Sequence, residues 1–192
     1  MRANFFITGL PRSRTAWLAN LFTTGEQVCH HDLLGKVSNV EQFRRMLKDG
    51  AGVSDASLIW LFPKLREMYP AARWLLVERA ATDTINSIRR VAAGTQWEKI
   101  VGAYTETAEA WLPQYMELVA AMVKDKRVIR LPYAELDNYD SVWAAWKFLC
   151  PTTRLTRERF DFLHPLRVEL IPAKQPLALS PQLIEDLKLW RS

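Results

Sequence analysis

The sequence predicts an α/β fold of three layers, α/β/α, built around a mostly parallel central sheet. Three observations carry that reading. Residues 4–9 (NFFITG), 73–79 (RWLLVER) and 127–133 (RVIRLPY) are short apolar runs rich in β-branched or aromatic residues, the pattern of strands. Each is followed by a polar turn and then by helical periodicity, which implies βα units with helices covering both faces of the sheet. The chain has 192 residues and is 49% hydrophobic, enough for the sizeable core of one domain spanning 1–192.

The elements follow in order. After the strand at 4–9, apolar spacing over 16–22 suits a first amphipathic helix. VCHHD (28–32) and GVSD (52–55) read as shorter strands, with a helix over 40–47 between them. Helical spacing recurs at 58–68, 82–92, 97–124 and 139–149. The proline-containing stretch 164–181 reads as a loop or arm, and Ser180-Pro181 before QLIEDLKLW reads as an N-cap with proline at the first helical position.

Composition excludes several classes. Charged residues make up an average 24%, and there is no low-complexity tract and no repeat, which disfavours a disordered chain or a solenoid. The net charge of +5, from 26 Lys plus Arg against 21 Asp plus Glu, favours anionic partners. Nucleic acid is disfavoured among them, because Arg89-Arg90 and residues 124–127 read as solvated helix ends. No apolar stretch is long enough for a membrane span, and the first residues lack the pattern of a signal peptide. Cys29 and Cys150 form neither a CxxC pair nor a disulfide framework, so they read as core thiols and a cytoplasmic location is expected.

The chemistry concentrates in FITGLPRSRTAW, residues 6–17. A strand that ends in a turn and at once starts a helix leaves backbone N–H groups free at the positive end of a helix dipole, a geometry that binds phosphate or sulfate. Arg12 and Arg14 add forked, permanently charged donors, and Ser13 and Thr15 add hydroxyls. The ATP-binding loop G-x-x-x-x-G-K-[ST] lacks counterparts here for its second glycine and its lysine, so an ordinary ATPase is disfavoured.

PRSRTAWL resembles the 5′-phosphosulfate-binding loop of the sulfotransferases, roughly P-[KR]-[ST]-G-T-T-x-L. Pro11, Arg12, Ser13, Thr15 and Leu18 match; Arg14 replaces the usual glycine, and Ala16 a frequent threonine. If position 14 has positive φ, its side chain carries strain of about 1 kcal/mol or more. A second element resembles the family's 3′-phosphate motif, R-D-P-R-D-x-x-x-S: Arg79, Asp83 and Ser87 match, while Ala80 and Ala81 replace Asp-Pro. An arginine at a strand's carboxyl edge and a hydroxyl on the next helix can converge on one phosphate. RLPYAEL (130–136) resembles the family's late strand-to-helix segment, whereas its C-terminal Arg-Lys-Gly phosphate loop has no counterpart.

The resemblance covers roughly residues 4–149 and implies a P-loop-type fold that transfers a sulfuryl group from 3′-phosphoadenosine-5′-phosphosulfate (PAPS) to a hydroxyl or amine. It implies Pro11, Arg12, Ser13, Arg14, Thr15, Ala16, Arg79 and Ser87 as donor-binding residues, Arg12 also neutralising the transferring group, and no metal. The acceptor is expected to be a small molecule or a glycan, and a second subunit is one way for a short chain to complete the pocket. The expected base is His31, with His30, Asp32 and Asp55 as alternatives that the sequence leaves open. The rival readings are a nucleotide or small-molecule kinase on the same fold and a non-catalytic nucleotide-binding module.

Overall fold

A computed structural model of the chain describes residues 4–94 and 108–166, together with Gln182. Among these residues five strands form one sheet: β1 (Phe5–Gly9), β2 (Cys29–His31), β3 (Gly52–Ser54), β4 (Arg73–Glu78) and β5 (Val128–Pro132). Their order is β2-β3-β1-β4-β5 and every neighbouring pair is parallel, with Ile7 opposite Ser54 on one side and Leu75 on the other. Seven α-helices connect and cover them: α1 (Thr15–Phe22), α2 (Val40–Met46), α3 (Phe62–Met68), α4 (Ala81–Ala92), α5 (Ala108–Val123), α6 (Tyr139–Leu149) and α7 (Arg157–Leu163).

Successive residues of a strand point to opposite faces, so consecutive apolar residues fill two cores at once. Phe6, Trp74 and Leu76 pack with Phe43, Phe62, Leu65, Tyr115 and Met122 of α2, α3 and α5. Phe5, Ile7, Leu75 and Val77 pack on the other face with Leu18, Phe22, Val142, Trp146 and Phe160 of α1, α6 and α7. Stacking of the Phe22 and Trp146 rings, with centroids 4.6 Å apart, joins α1 to α6 in that second layer. The expected three layers are present, and no helix among the described residues is long and apolar enough to cross a membrane.

Two differences from the sequence reading have physical causes. The single helix expected over 58–68 is a 3-10 segment, Ala56–Leu61, followed by α3. Pro63 has no N–H and its ring clashes with the carbonyl four residues back, which favours starting an α-helix around it over continuing one through it. The sequence reading places no helix at α7, which Thr156 caps by accepting from the Arg159 N–H. That helix is fixed to α1: the Trp17 indole donates to the Leu163 carbonyl at 2.9 Å, and the Arg159 guanidinium donates to the carbonyls of Asn20, Leu21 and Thr23 at the end of α1. The first half of the helix expected over 97–124, and the helix expected after Ser180-Pro181, lie outside the described residues.

The strand order positions the site. After β1 the chain moves through α1 to β2 on one side, and after β4 it moves through α4 and α5 to β5 on the other. The carboxyl ends of these adjacent strands therefore flank a topological switch point, where open α/β sheets bind ligands.

Candidate active site

The loop between β1 and α1 is held open from below. Gly9 ends β1 so close to β4 that a Cβ on it would stand 2.5 Å from the Val77 carbonyl oxygen. The Ser54 hydroxyl donates to the Thr15 carbonyl at 2.8 Å, and the Asp55 N–H donates to the Ile7 carbonyl at 3.0 Å, tying β3 to both ends of the loop. Within the loop Arg12 (φ 67°) and Arg14 (φ 57°) both adopt the left-handed conformation, which costs a side-chain-bearing residue about 1–2 kcal/mol. The condition raised for position 14, a positive φ, is therefore met, and a second left-handed residue occurs two residues earlier.

The Arg14 side chain turns away from the loop. It forks onto Asp137 (2.7 and 3.4 Å), donates through Nε to the Tyr133 hydroxyl at 3.2 Å, and stacks on the Tyr133 ring at 4.9 Å. Burial opposes its charge, but Asp137 and Tyr133 outweigh burial, and its pKa rises above the ordinary value. Asp137 also contacts His164 Nε2 at 2.9 Å, so the loop is braced to both the segment after β5 and the end of α7. Arg79, just past β4, donates to the Arg12 carbonyl and lies over the same Tyr133 ring at 4.2 Å. Two of the three arginines that the sequence singled out, Arg14 and Arg79, thus share one aromatic platform. Sequence reasoning singles out neither Tyr133 nor Asp137, although RLPYAEL carries the first of them.

The donor set is polar, buried and incompletely satisfied. Ser13 is fully buried, and its hydroxyl has no hydrogen-bond partner among the described residues; the same holds for the Thr84 hydroxyl and for Arg79 Nε. No protein acceptor among the described residues takes the backbone N–H of Thr15, Ala16 or Trp17 at the start of α1. Buried donors are rarely left unpaired, because each orphan costs about 1–3 kcal/mol, so an anion that accepts from them fits this cradle. Ser87 is buried on α4, on the helix face it shares with Thr84, and the N-terminus of α4 has no side-chain cap. Pro11 and Ala16 border the loop, half-buried.

His31 ends β2 beside this cradle. Its Nε2 lies 3.3 Å from the Thr15 hydroxyl, and its Nδ1 lies 3.2 Å from Asp32 Oδ2. The carboxylate favours the proton on Nδ1 and leaves the Nε2 lone pair facing the loop. Burial pushes the imidazole below its ordinary 6.5; Asp32 and Asp55 pull it back up, Lys36 adds to the lowering, and the net shift is downward. Burial likewise raises Asp32 above the ordinary carboxylate value, against the pull of His31. The neighbouring His30 points elsewhere, to the Met46 carbonyl at 3.2 Å. Asp55 is buried, and its Oδ1 accepts from both the N–H (2.8 Å) and the hydroxyl (2.6 Å) of Ser57, capping the segment Ala56–Leu61. It also lines a cavity of about 280 Å³ that opens at Gly9–Pro11 and is walled by Ile59, Trp60 and Tyr115.

The sequence profile of the sulfotransferase domain family matches residues 6–156, most of the chain. The chain belongs to the sulfotransferase family. Among solved structures, this sulfotransferase-family chain is similar to mouse sulfotransferase SULT7A1 complexed with PAP, with a TM-score of 0.63 and 13% identity over 86% of this chain. It spans 64% of that protein's length. It is also similar to a sulfotransferase from Alicyclobacillus acidocaldarius, with a TM-score of 0.55 and 13% identity over 100% of both chains. At such identities the two structures show the shared fold. No curated protein sequence matches the chain.

Proposed function

We propose that the chain is a PAPS-dependent sulfotransferase acting on a hydroxyl or amine of a small molecule. The observation that carries this reading is the pairing of the β1–α1 loop with Arg79, whose guanidinium donates to the Arg12 carbonyl at the switch point of the sheet. The PAP complex of the mouse relative supports the donor class.

When bound, the donor supplies an activated sulfuryl group; positioning and charge stabilisation fall to the chain. The Ser13 hydroxyl and the N–H groups of Thr15, Ala16 and Trp17 hold the 5′ end, with Pro11 shaping the loop and Arg14 bracing it. Arg12 lends its charge to the group that departs. Arg79, Ser87 and the uncapped start of α4 hold the 3′-phosphate, a role for which Thr84 is also placed. His31, neutral because burial lowers its pKa, takes the acceptor's proton at Nε2, while Asp32 fixes the ring and stabilises the imidazolium. Asp55 is occupied as a cap and shapes the acceptor cavity. That cavity is small and walled by aromatic rings, which favours a small acceptor over a glycan chain.

The direct test incubates the purified chain with sulfur-labelled PAPS and a panel of alcohols, phenols and amines, with labelled ATP in parallel. The account expects transfer of the sulfur label alone, undiminished by EDTA. Transfer of phosphate from ATP would replace it with the kinase reading.

A further inference from the structure

A second cavity lies at the other end of the sheet. A groove of about 820 Å³ runs between the exposed face of α6 and the amino ends of β4 and β5. β4 separates it from the donor crevice by about 17 Å, five steps of about 3.3 Å along the strand. Arg73, Lys126, Arg127 and Lys147 supply four cations to its lining, and no carboxylate joins them. The neighbouring Asp125 is engaged by the Arg66 side chain and by the Arg127 backbone N–H.

The two arginines are anchored and the two lysines are not. Arg73 donates to the Phe148 carbonyl and Arg127 to the Pro70 carbonyl, which sets their charges in the groove wall. Lys126 and Lys147 are exposed. The floor is apolar: Ala71 and Ala144 leave the hollow, and Trp143 remains 39% exposed beside it. Lys147 lies 5.2 Å from the Trp143 ring and Arg73 5.6 Å from the Phe148 ring.

We propose that this groove docks an acidic, amphipathic segment of a partner protein. Carboxylates meet the four cations, and apolar side chains lie on Trp143 and the two alanines. Charge complementarity fixes the sign of the partner, and an apolar floor inside a cationic rim suits a chain with two faces better than a uniformly charged polymer. The groove shares no residue with the donor crevice, so docking leaves donor binding intact.

The test is fluorescence anisotropy on the full chain, using a labelled amphipathic peptide with glutamates on one face and leucines on the other. The expected result is saturable binding that weakens with added salt and drops about tenfold or more when the glutamates become glutamines. Lys126→Glu with Lys147→Glu reduces binding about tenfold or more, and Trp143→Ala reduces it at unchanged salt dependence. Affinity for 3′-phosphoadenosine-5′-phosphate stays unchanged in every variant, which also reports that they fold. Equal binding of the two peptides, indifference to the lysine changes, or capture of heparin or oligothymidylate in place of the peptide would overturn the proposal.

Discussion

His31 Nε2 stands 3.3 Å from the Thr15 hydroxyl, which links the end of β2 to the first residue of α1. The ends of two successive elements, sixteen residues apart in sequence, thus bring an imidazole whose pKa burial lowers to the rim of the β1–α1 loop. Asp32, 3.2 Å from the other ring nitrogen, fixes which nitrogen keeps the proton.

The first prediction concerns that imidazole. Protonated His31 cannot accept a proton, and its pKa lies below 6.5, so kcat/KM should rise with pH through a value under 6.5 and then level off. His31→Ala should remove this acid limb and lower kcat about 10²- to 10⁴-fold, with affinity for 3′-phosphoadenosine-5′-phosphate retained. A limb that persists in the variant would move the base to another group.

Arg14 sets strain against bracing. Arg14→Gly relieves the left-handed backbone but loses the Asp137 fork and the Tyr133 contacts, whereas Arg14→Ala loses the contacts and keeps the strain. Urea unfolding should therefore find Arg14→Ala less stable than Arg14→Gly by about 1 kcal/mol or more. Equal stabilities would mean that the backbone strain relaxes.

Gly9 is fixed by the approach of Val77. Gly9→Ala drives a methyl group against a backbone oxygen that cannot rotate aside, and the predicted loss is about 1–3 kcal/mol by thermal or urea unfolding. The same change should weaken binding of 3′-phosphoadenosine-5′-phosphate, because the loop begins at the next residue. Unchanged binding would show that the loop tolerates displacement of its stem.

Much of this is legible in the sequence. The apolar runs mark β1 and β4 because strands buried on both faces need no alternation; the edge strand β5 stands out by its β-branched start, and VCHHD and GVSD mark the two short strands. The β1–α1 loop and Arg79 stand out in the sequence because so many hydrogen-bond donors are costly to place together without an anion, and the structure brings them together at the Arg12 carbonyl. The split at Pro63 was written in the sequence, yet apolar spacing across 58–68 masked it. His30 and His31 were inseparable in sequence; the alternation of a strand sends one to the Met46 carbonyl and the other to Thr15. The Arg14–Asp137–His164 brace was hidden because Arg14 stands 123 positions from Asp137, and local patterns do not report such pairings.

The measurement that tests the central claim most directly is calorimetric binding of 3′-phosphoadenosine-5′-phosphate against ADP and magnesium-ATP, on the wild type and on Arg79→Ala. The account predicts that the wild type prefers the 3′-phosphorylated nucleotide by about tenfold or more and that Arg79→Ala loses this preference. Tighter binding of magnesium-ATP, or a 3′-phosphate preference that survives Arg79→Ala, would contradict it.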